Sequence, residues 1–223
     1  MSNEQKIINS WQVNAGNWID IIDNNSIESR KLATNKAIVN AVCKSKPASV
    51  LDVGCGEGWL SKALQDTGIE IYGVDVIPEL IDKAKQKVKG DFWVASYEDI
   101  TIGKIVFPKL FNAIVINFAL IAKESTENLL AALPRYLAPG GKLFIQTLHP
   151  HSRKVVDDYT TGWKEGSWDG LGEQFTMPYQ WYFRTLEDWL ILLGESGFSK
   201  VKIGEVLHPV SAKQLSVIFE CEI

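Results

Sequence analysis

The sequence predicts an α/β protein built on a doubly wound, mostly parallel sheet of seven strands with an antiparallel closing strand. Three observations predict it. Short apolar runs alternate with amphipathic stretches through residues 48–148, which is typical of successive strand–helix units. The first run, residues 48–53, is rich in β-branched residues and enters a glycine-rich loop followed by a helical pattern. The last two runs, residues 201–207 and 215–221, alternate in polarity, which indicates an antiparallel pair.

Composition narrows the classes of function. The 223 residues are 46% hydrophobic and 22% charged, which excludes a fibrous or wholly disordered protein. The formal charge of -4 argues against a nucleic-acid partner. No apolar run approaches the ~20 residues that span a bilayer, and residues 1–6 lead into no signal core, so we expect neither a membrane partner nor secretion by that route. Cys43, Cys55 and Cys221 are odd in number and show no CxxC pairing, so the sequence supports neither a disulfide framework nor a zinc site. We therefore expect no metal and a cytoplasmic protein.

The first 47 residues predict two helices that form an N-terminal cap on a sheet domain covering residues 48–223. Trp11, Ala15 and Trp18 recur at the spacing of one helix face. The two tryptophans are expected to pack on the sheet domain as part of a cap over its ligand, and the alternative is that they only fill the core. A polar cluster then separates this helix from the next.

Strands and helices are predicted to alternate through the middle of the chain. After the first strand, further strands are expected at residues 70–74, 92–95, 111–117 and 142–148, and helices at residues 59–66, 79–88 and 127–137. Pro134 must kink or shorten the last of these helices, and a Pro-Gly-Gly turn precedes the fifth strand. Residues 149–183 show no hydrophobic periodicity and are predicted to be an insertion that forms a lid or binds the molecule on which the protein acts. Thr185 then caps a helix that ends at Gly197.

The glycine-rich loop is the most informative segment. Residues 50–60 read Val-Leu-Asp-Val-Gly-Cys-Gly-Glu-Gly-Trp-Leu. Glycine leaves bare backbone against which a ligand can lie, and the following helix offers free N–H groups. The dinucleotide pattern needs its third glycine where Trp59 stands, so a pyrophosphate site is disfavoured.

Asp75 ends the second strand and lies beside the loop in a doubly wound sheet. Its carboxylate can accept hydrogen bonds from both hydroxyls of a ribose. The alternative is that it caps the helix that begins near Pro78. Together with the loop, the pattern favours a ribose-containing ligand.

These residues resemble the class I S-adenosylmethionine-dependent methyltransferases. The segments that carry the resemblance are Asp52-x-Gly54-x-Gly56-x-Gly58, Asp75, residues 111–120 and residues 137–143. The resemblance covers roughly residues 48–148. It implies a Rossmann-like methyltransferase fold and S-adenosyl-L-methionine as cofactor.

The resemblance also implies roles for individual residues. The expected cofactor contacts are Asp52, Gly54 and Gly56 for the methionine part, Asp75 for the ribose, Val76, Ser96 and Tyr97 for the adenine, and Asn117 and Phe118 beside the sulfur. Arg30 is expected to meet the cofactor carboxylate, or else to remain a solvated helix charge. Ser96 stands where many members carry Asp. Asn117 is not followed by the Pro-Pro-Tyr/Phe that accompanies methylation of planar amide or adenine nitrogens, so that acceptor class is disfavoured.

The residues expected to contact the methyl acceptor follow from the chemistry of the reaction, because methyl transfer from a sulfonium is an in-line displacement. A base is needed only when the acceptor holds its proton at neutral pH. His149 follows the fifth strand directly and is the predicted catalytic base and acceptor contact. The alternative is a loop histidine that bonds backbone or merely lines the pocket.

Aromatic residues crowd the insertion. Trp163, Trp168 and Tyr182 are the predicted pocket walls, with the insertion's own small core as the alternative. Arg184 is predicted to pair with an acceptor carboxylate or with Glu187 at i+3.

The leading hypothesis is therefore an enzyme that methylates a small-molecule acceptor at oxygen or another heteroatom. A nucleotide-dependent oxidoreductase, an inert cofactor-binding subunit and methylation of a protein stay open as alternatives. The sequence indicates no oligomeric state.

Overall fold

A seven-stranded sheet forms the centre of the computed structural model, which describes residues 1–152 and 158–223. Its strands are β1 (Ser49–Val53), β2 (Glu70–Asp75), β3 (Asp91–Val94), β4 (Phe111–Asn117), β5 (Leu137–Leu148), β8 (Lys200–Leu207) and β9 (Gln214–Glu222), while β6 (Gly162–Lys164) and β7 (Trp181–Phe183) form a separate hairpin. The strand order is β3-β2-β1-β4-β5-β9-β8. All neighbours pair in parallel except those of β9, which confirms the predicted fold class.

Helices cover both faces of the sheet. They are α1 (Asn3–Asp23), α2 (Asn35–Lys44) with a preceding π-helical turn (Arg30–Thr34), α3 (Trp59–Gln65), α4 (Pro78–Lys87), α5 (Tyr97–Thr101), α6 (Glu124–Ala132) with a following 3-10 turn (Leu133–Tyr136), and α7 (Leu186–Glu195). One core cluster joins α6 and α7 to the sheet, and a second joins α2, α3 and α4 to its other face. Strand β4 serves both, with Ile114 in the first and Val115 in the second. No helix in the described ranges is long and apolar enough to cross a bilayer.

The parallel register brings the carboxyl ends of the central strands to one edge. Asp75 is paired with Val94, and Asn117 with Gln146. In doubly wound sheets, ligands bind in the crevice beyond these strand ends. The fold therefore gathers the loops after β1, β2 and β4 at one place.

Strand β5, helix α5 and the β6–β7 hairpin differ from the sequence-based expectation. Strand β5 already begins at Leu137, so the Pro-Gly-Gly segment lies inside it, at a register shift opposite β4. Neither α5 nor the hairpin was predicted. Helix α6 is shortened as expected, because it ends before Pro134, which has no N–H to continue the ladder. Of the predicted insertion, residues 153–157 lie outside the described residues.

Helix α1 and residues 158–183 pack together over the sheet edge, and we call this pair the lid. Asn14 holds them together, because its Nδ2 donates to the Thr176 carbonyl at 2.7 Å and its Oδ1 accepts from the Thr176 N–H at 2.9 Å. Trp168 Nε1 donates to Ser10 Oγ at 2.9 Å. An apolar cluster, including Ile7 and Trp168, fills the space between the two parts.

Candidate functional site

A cavity of about 450 Å³ opens at the carboxyl ends of β1, β2 and β4, beneath the lid. Its floor is the glycine-rich loop, and its wall includes Asp75 and Asn117. A volume of this order suits a small-molecule site. The part of the chain that the structure describes contains no His/Cys/Asp/Glu cluster able to hold a metal ion.

The Asp75 carboxylate is bonded directly to the glycine-rich loop. Gly56 N–H donates to its Oδ2 at 2.9 Å, and Ile77 N–H donates to its Oδ1 at 2.9 Å. The carboxylate therefore faces the cavity and holds the turn that leads into α4. It does not cap that helix, whose N-cap residue is Ile77 and which has no side-chain cap, so the capping alternative is wrong. Burial raises the pKa of Asp75 to about 6, against the lowering effect of these N–H donors.

Gly54 permits a close approach between the loop and the end of β4. Its φ is +72°, and a Cβ added there would lie 2.5 Å from the Ala119 Cβ. Tyr97 closes the same corner by donating its hydroxyl to the Ala119 carbonyl at 3.0 Å. Phe118, next in the chain to Ala119, takes a φ of +54°, which is backbone strain of the kind found at ligand sites.

Asp52 does not line the cavity, which corrects the expectation that its carboxylate touches the cofactor. Strand alternation turns its side chain toward α3, where Oδ2 accepts from the Ser61 hydroxyl at 2.7 Å. Asp52 is 1% exposed. This burial raises its pKa to about 7.

Glu57 is the site residue that the sequence reasoning missed. It is 1% exposed yet lines the cavity, and its carboxylate accepts from Trp18 Nε1 at 3.0 Å and from Trp59 N–H at 3.3 Å. Its signal in the sequence is a carboxylate that stands between two glycines of the loop. Glu57 also ties the loop to α1.

Arg30 faces the cavity close to Glu57. Its guanidinium lies over the rings of Trp59 and Trp18, at 4.7 and 5.6 Å from their centroids. Its Nε donates to Asn35 Oδ1, but its buried Nη2 has no partner among the described residues. Burial lowers the pKa of Arg30 to about 10, which leaves it charged at neutral pH. The alternative of a solvated helix charge is therefore wrong.

The other expected cofactor residues lie on the cavity wall. Val76, Ser96, Tyr97, Asn117 and Phe118 all line it and are half-buried. Ser96 caps α5, and its hydroxyl is engaged with Asp99. The Oδ1 of Asn117 is buried without a partner among the described residues.

His149 does not line the cavity, which corrects its assignment as base and acceptor contact. Its ring is fully buried, Nδ1 accepts from the His151 N–H at 3.1 Å, and Nε2 lies 3.2 Å from Glu205 Oε1. An accepting Nδ1 places the proton of the neutral ring on Nε2, which donates to Glu205. Burial lowers the pKa of His149. Position after a strand fixed the location of its backbone but not the direction of its side chain.

The predicted acceptor residues divide into two groups. Trp168 and Tyr182 line the cavity. Trp163 does not, because it packs edge-on against Tyr182 in the β6–β7 hairpin, with ring centroids 5.3 Å apart. Arg184 is 4% exposed and is bonded to Glu127 and two carbonyls rather than to Glu187, so its guanidinium is not open to an acceptor carboxylate.

Comparison with known proteins supplies the family context. A family model described as "Methyltransferase domain" matches residues 27–217. The chain is 35% identical over 107 residues to a ubiquinone biosynthesis O-methyltransferase of Xanthomonas oryzae pv. oryzae strain PXO99A, an alignment that covers 46% of this chain and 44% of the relative. The chain thus spans less than half the length of this curated relative.

Two solved structures share the fold. One is an S-adenosylmethionine dependent methyltransferase from Mesorhizobium loti, with a TM-score of 0.63, 18% identity, and coverage of 82% of this chain and 95% of that chain. The other is an S-adenosylmethionine-dependent methyltransferase from Clostridium acetobutylicum ATCC 824, with a TM-score of 0.63, 14% identity, and coverage of 93% and 97%. At these identities the likeness concerns the fold alone.

Proposed function

Because this chain belongs to the methyltransferase-domain family, we propose that it transfers a methyl group from S-adenosyl-L-methionine to a small-molecule acceptor, at oxygen or another heteroatom. The observation that carries the proposal is the bond between Gly56 N–H and the Asp75 carboxylate at the floor of the cavity. This hydrogen bond holds the carboxylate that we assign to the ribose beside the backbone of the glycine-rich loop. The relative named for O-methyl transfer in ubiquinone biosynthesis supports oxygen as the accepting atom.

The residues present fit this cofactor. Its amino-acid tail carries a carboxylate and an ammonium group, and the cavity offers a matching pair in the unpartnered Arg30 Nη2 and the buried Glu57 carboxylate. We assign the tail to these two residues. Asp75 holds the ribose, and Val76, Ser96 and Tyr97 form the adenine wall, with the engaged Ser96 hydroxyl contributing shape rather than a hydrogen bond.

The chain's own groups then perform three tasks in the reaction. When bound, the cofactor supplies a methyl group activated on a sulfonium. The lid excludes water, and the strained turn at Phe118 fixes the end of β4 against the loop. The unpartnered Asn117 Oδ1 accepts a hydrogen bond from the acceptor and so orients its nucleophilic atom. An amide oxygen does not take up the proton of an acceptor hydroxyl, so that proton passes to solvent when the acceptor is methylated. Alignment of this kind supplies much of the rate in a displacement reaction.

Isothermal titration with S-adenosylmethionine and S-adenosylhomocysteine tests the proposal. We expect both to bind to the folded protein with one site per chain. The absence of heat with either ligand, at protein concentrations that detect a millimolar Kd, would remove the cofactor assignment.

A further inference from the structure

The structure points to a substrate class for the acceptor. We propose that the acceptor is an uncharged, hydrophobic, flat molecule. This inference rests on the proposed methyl transfer and concerns the part of the cavity that is lined by the apolar cluster between α1 and residues 158–183. We call that part the acceptor half, and its described lining includes Ile7, Trp11, Ile121, Trp168, Leu171 and Trp181.

The tryptophans of the acceptor half offer carbon surface rather than hydrogen bonds. Trp11 Nε1 donates to the Tyr179 hydroxyl at 3.0 Å, and Trp181 Nε1 donates to the Glu165 carbonyl at 3.0 Å. Trp168 Nε1 is used by Ser10. Since an indole has a single donor, all three rings meet a ligand only through their apolar faces and edges.

The charged side chains beside the acceptor half already bond to protein groups. Arg184 is the one cation among its described lining residues, and its guanidinium donates to the carbonyls of Ala122 and Lys123 and to Glu127 Oε1, each at 3.1 Å. Glu4 is the carboxylate on this side, and its Oε1 accepts from the Ser125 N–H at 2.8 Å, whereas Glu98, which also lines the cavity, follows Tyr97 at the adenine wall. A charged acceptor would lose its hydration and would meet only Arg184 and Glu4, both of which already bond to the protein.

The energetic balance therefore favours a neutral ligand. Burying apolar surface is worth about 25 cal/mol per Å², whereas burying a charge without a partner is strongly unfavourable. Aromatic walls add offset or edge-on contacts with a flat ring. Arg30 and Glu57 do not alter this balance, because they lie at the cofactor tail.

Three naphthalenes that share one ring system and differ in charge test the inference by binding rather than turnover. The protein is first saturated with S-adenosylhomocysteine, and 2-naphthol, 2-naphthoate and (2-naphthylmethyl)ammonium are titrated by calorimetry. We expect 2-naphthol to bind at least tenfold more tightly than either ion. Equal or tighter binding of an ion, or no binding of 2-naphthol up to its solubility limit, overturns the inference. Failure of the first step, saturation with S-adenosylhomocysteine, would instead count against the proposed methyl transfer.

A charge placed in the acceptor half gives a second test. Leu171 is half-buried and lines the cavity, so Leu171→Lys should raise the affinity for 2-naphthoate relative to 2-naphthol about tenfold. Val210→Lys adds the same charge at a residue that is 89% exposed and outside the cavity lining, and should leave the ratio unchanged. An unchanged ratio in a folded Leu171→Lys variant that still binds S-adenosylhomocysteine contradicts the inference. If this variant does not fold, the ranking of the three ligands on the native protein decides.

Discussion

Two buried carboxylates stand within five residues of each other in the glycine-rich loop, and only one of them faces the cavity. Glu57 lines it, whereas Asp52 is turned toward Ser61. Charged hydrogen bonds contribute roughly 1.5–3 kcal/mol. We therefore predict that Glu57→Gln raises the Kd of S-adenosylhomocysteine about tenfold to a hundredfold, as measured by calorimetry.

The control for this prediction is a ligand without the amino-acid tail. Glu57→Gln should leave the affinity for 5′-methylthioadenosine nearly unchanged, because Gln can still accept from Trp18. Asp52→Asn, the matched variant, should change neither affinity by more than about threefold. Equal losses for both ligands in Glu57→Gln would show that Glu57 supports the loop rather than the tail.

The Asp75 carboxylate predicts a pH dependence of cofactor binding. Its pKa is raised to about 6, so it is ionised and accepts from ribose hydroxyls above that pH, and becomes protonated below it. The affinity for S-adenosylhomocysteine should be full above about pH 7 and fall by up to about tenfold per unit below pH 6. Asp75→Asn should bind more weakly and show a flatter profile between pH 5 and 8. A native profile as flat as that of the variant would contradict the assignment.

The raised pKa of Asp75 makes the stability of the protein depend on pH in the opposite direction from cofactor binding. A carboxyl group whose pKa is raised by folding binds more protons in the native state than in the unfolded state between its ordinary pKa and about 6. Its contribution to the free energy of unfolding therefore decreases as pH rises through that window. Asp52 has a pKa raised to about 7, so its contribution to the free energy of unfolding also decreases as pH rises, over a wider pH range.

At the residue scale, sequence reasoning located the site better than it assigned the side chains. Asp75 and the glycine-rich loop were predictable because parallel strands end at one edge. His149 was wrong because strand position does not say which face a side chain takes after the strand ends. Glu57 was not predicted because the glycine spacing specifies the backbone of the loop and not where the side chains between the glycines point.

At the element scale, a buried amide is one of the groups that join the two parts of the lid. Asn14 is fully buried and pairs with both backbone groups of Thr176. Leaving these groups unpaired costs about 1–3 kcal/mol, so Asn14→Ala should lower the free energy of unfolding in urea by that amount and speed proteolysis in residues 158–183.

Asn17 provides the matched control, because its side chain makes one exposed hydrogen bond, to the Gln174 carbonyl. Asn17→Ala should change the free energy of unfolding by less than about 0.5 kcal/mol. Indistinguishable urea curves for the two variants would mean that Asn14 does not join the parts of the lid.

Elements with a clear hydrophobic pattern, either periodic or continuous, were the predictable ones. The buried apolar run gave the bounds of β4 as observed, Phe111–Asn117. Helix α5 spans only five residues, too few to show a helical period, although its Ser96–Asp99 capping box could have been read from the sequence. The β6–β7 hairpin joins three-residue strands across a long loop, and no local pattern specifies such a pairing.

At the scale of the whole molecule, the fold alone does not separate a methyltransferase from a dinucleotide-dependent oxidoreductase, since both use doubly wound sheets. The discriminating features are local charges. A pyrophosphate beside the glycine-rich loop would meet the buried Glu57 carboxylate, while Trp59 stands where the third glycine is required. Like charges held out of water repel strongly.

Thermal unfolding with two ligands therefore distinguishes the two classes. S-adenosylhomocysteine at about 100 times its Kd should stabilise the native state by about 2.7 kcal/mol, which corresponds to a rise in Tm of about 5–10 °C for a chain of this size. NADH at the same concentration should shift the Tm by less than about 1 °C, because it meets Glu57 rather than a free helix N-terminus. Glu57→Gln gives the internal check, since removing the charge should weaken the effect of S-adenosylhomocysteine. A native protein stabilised equally by NADH would show that the loop accepts linked phosphates and would favour the alternative of a nucleotide-dependent oxidoreductase.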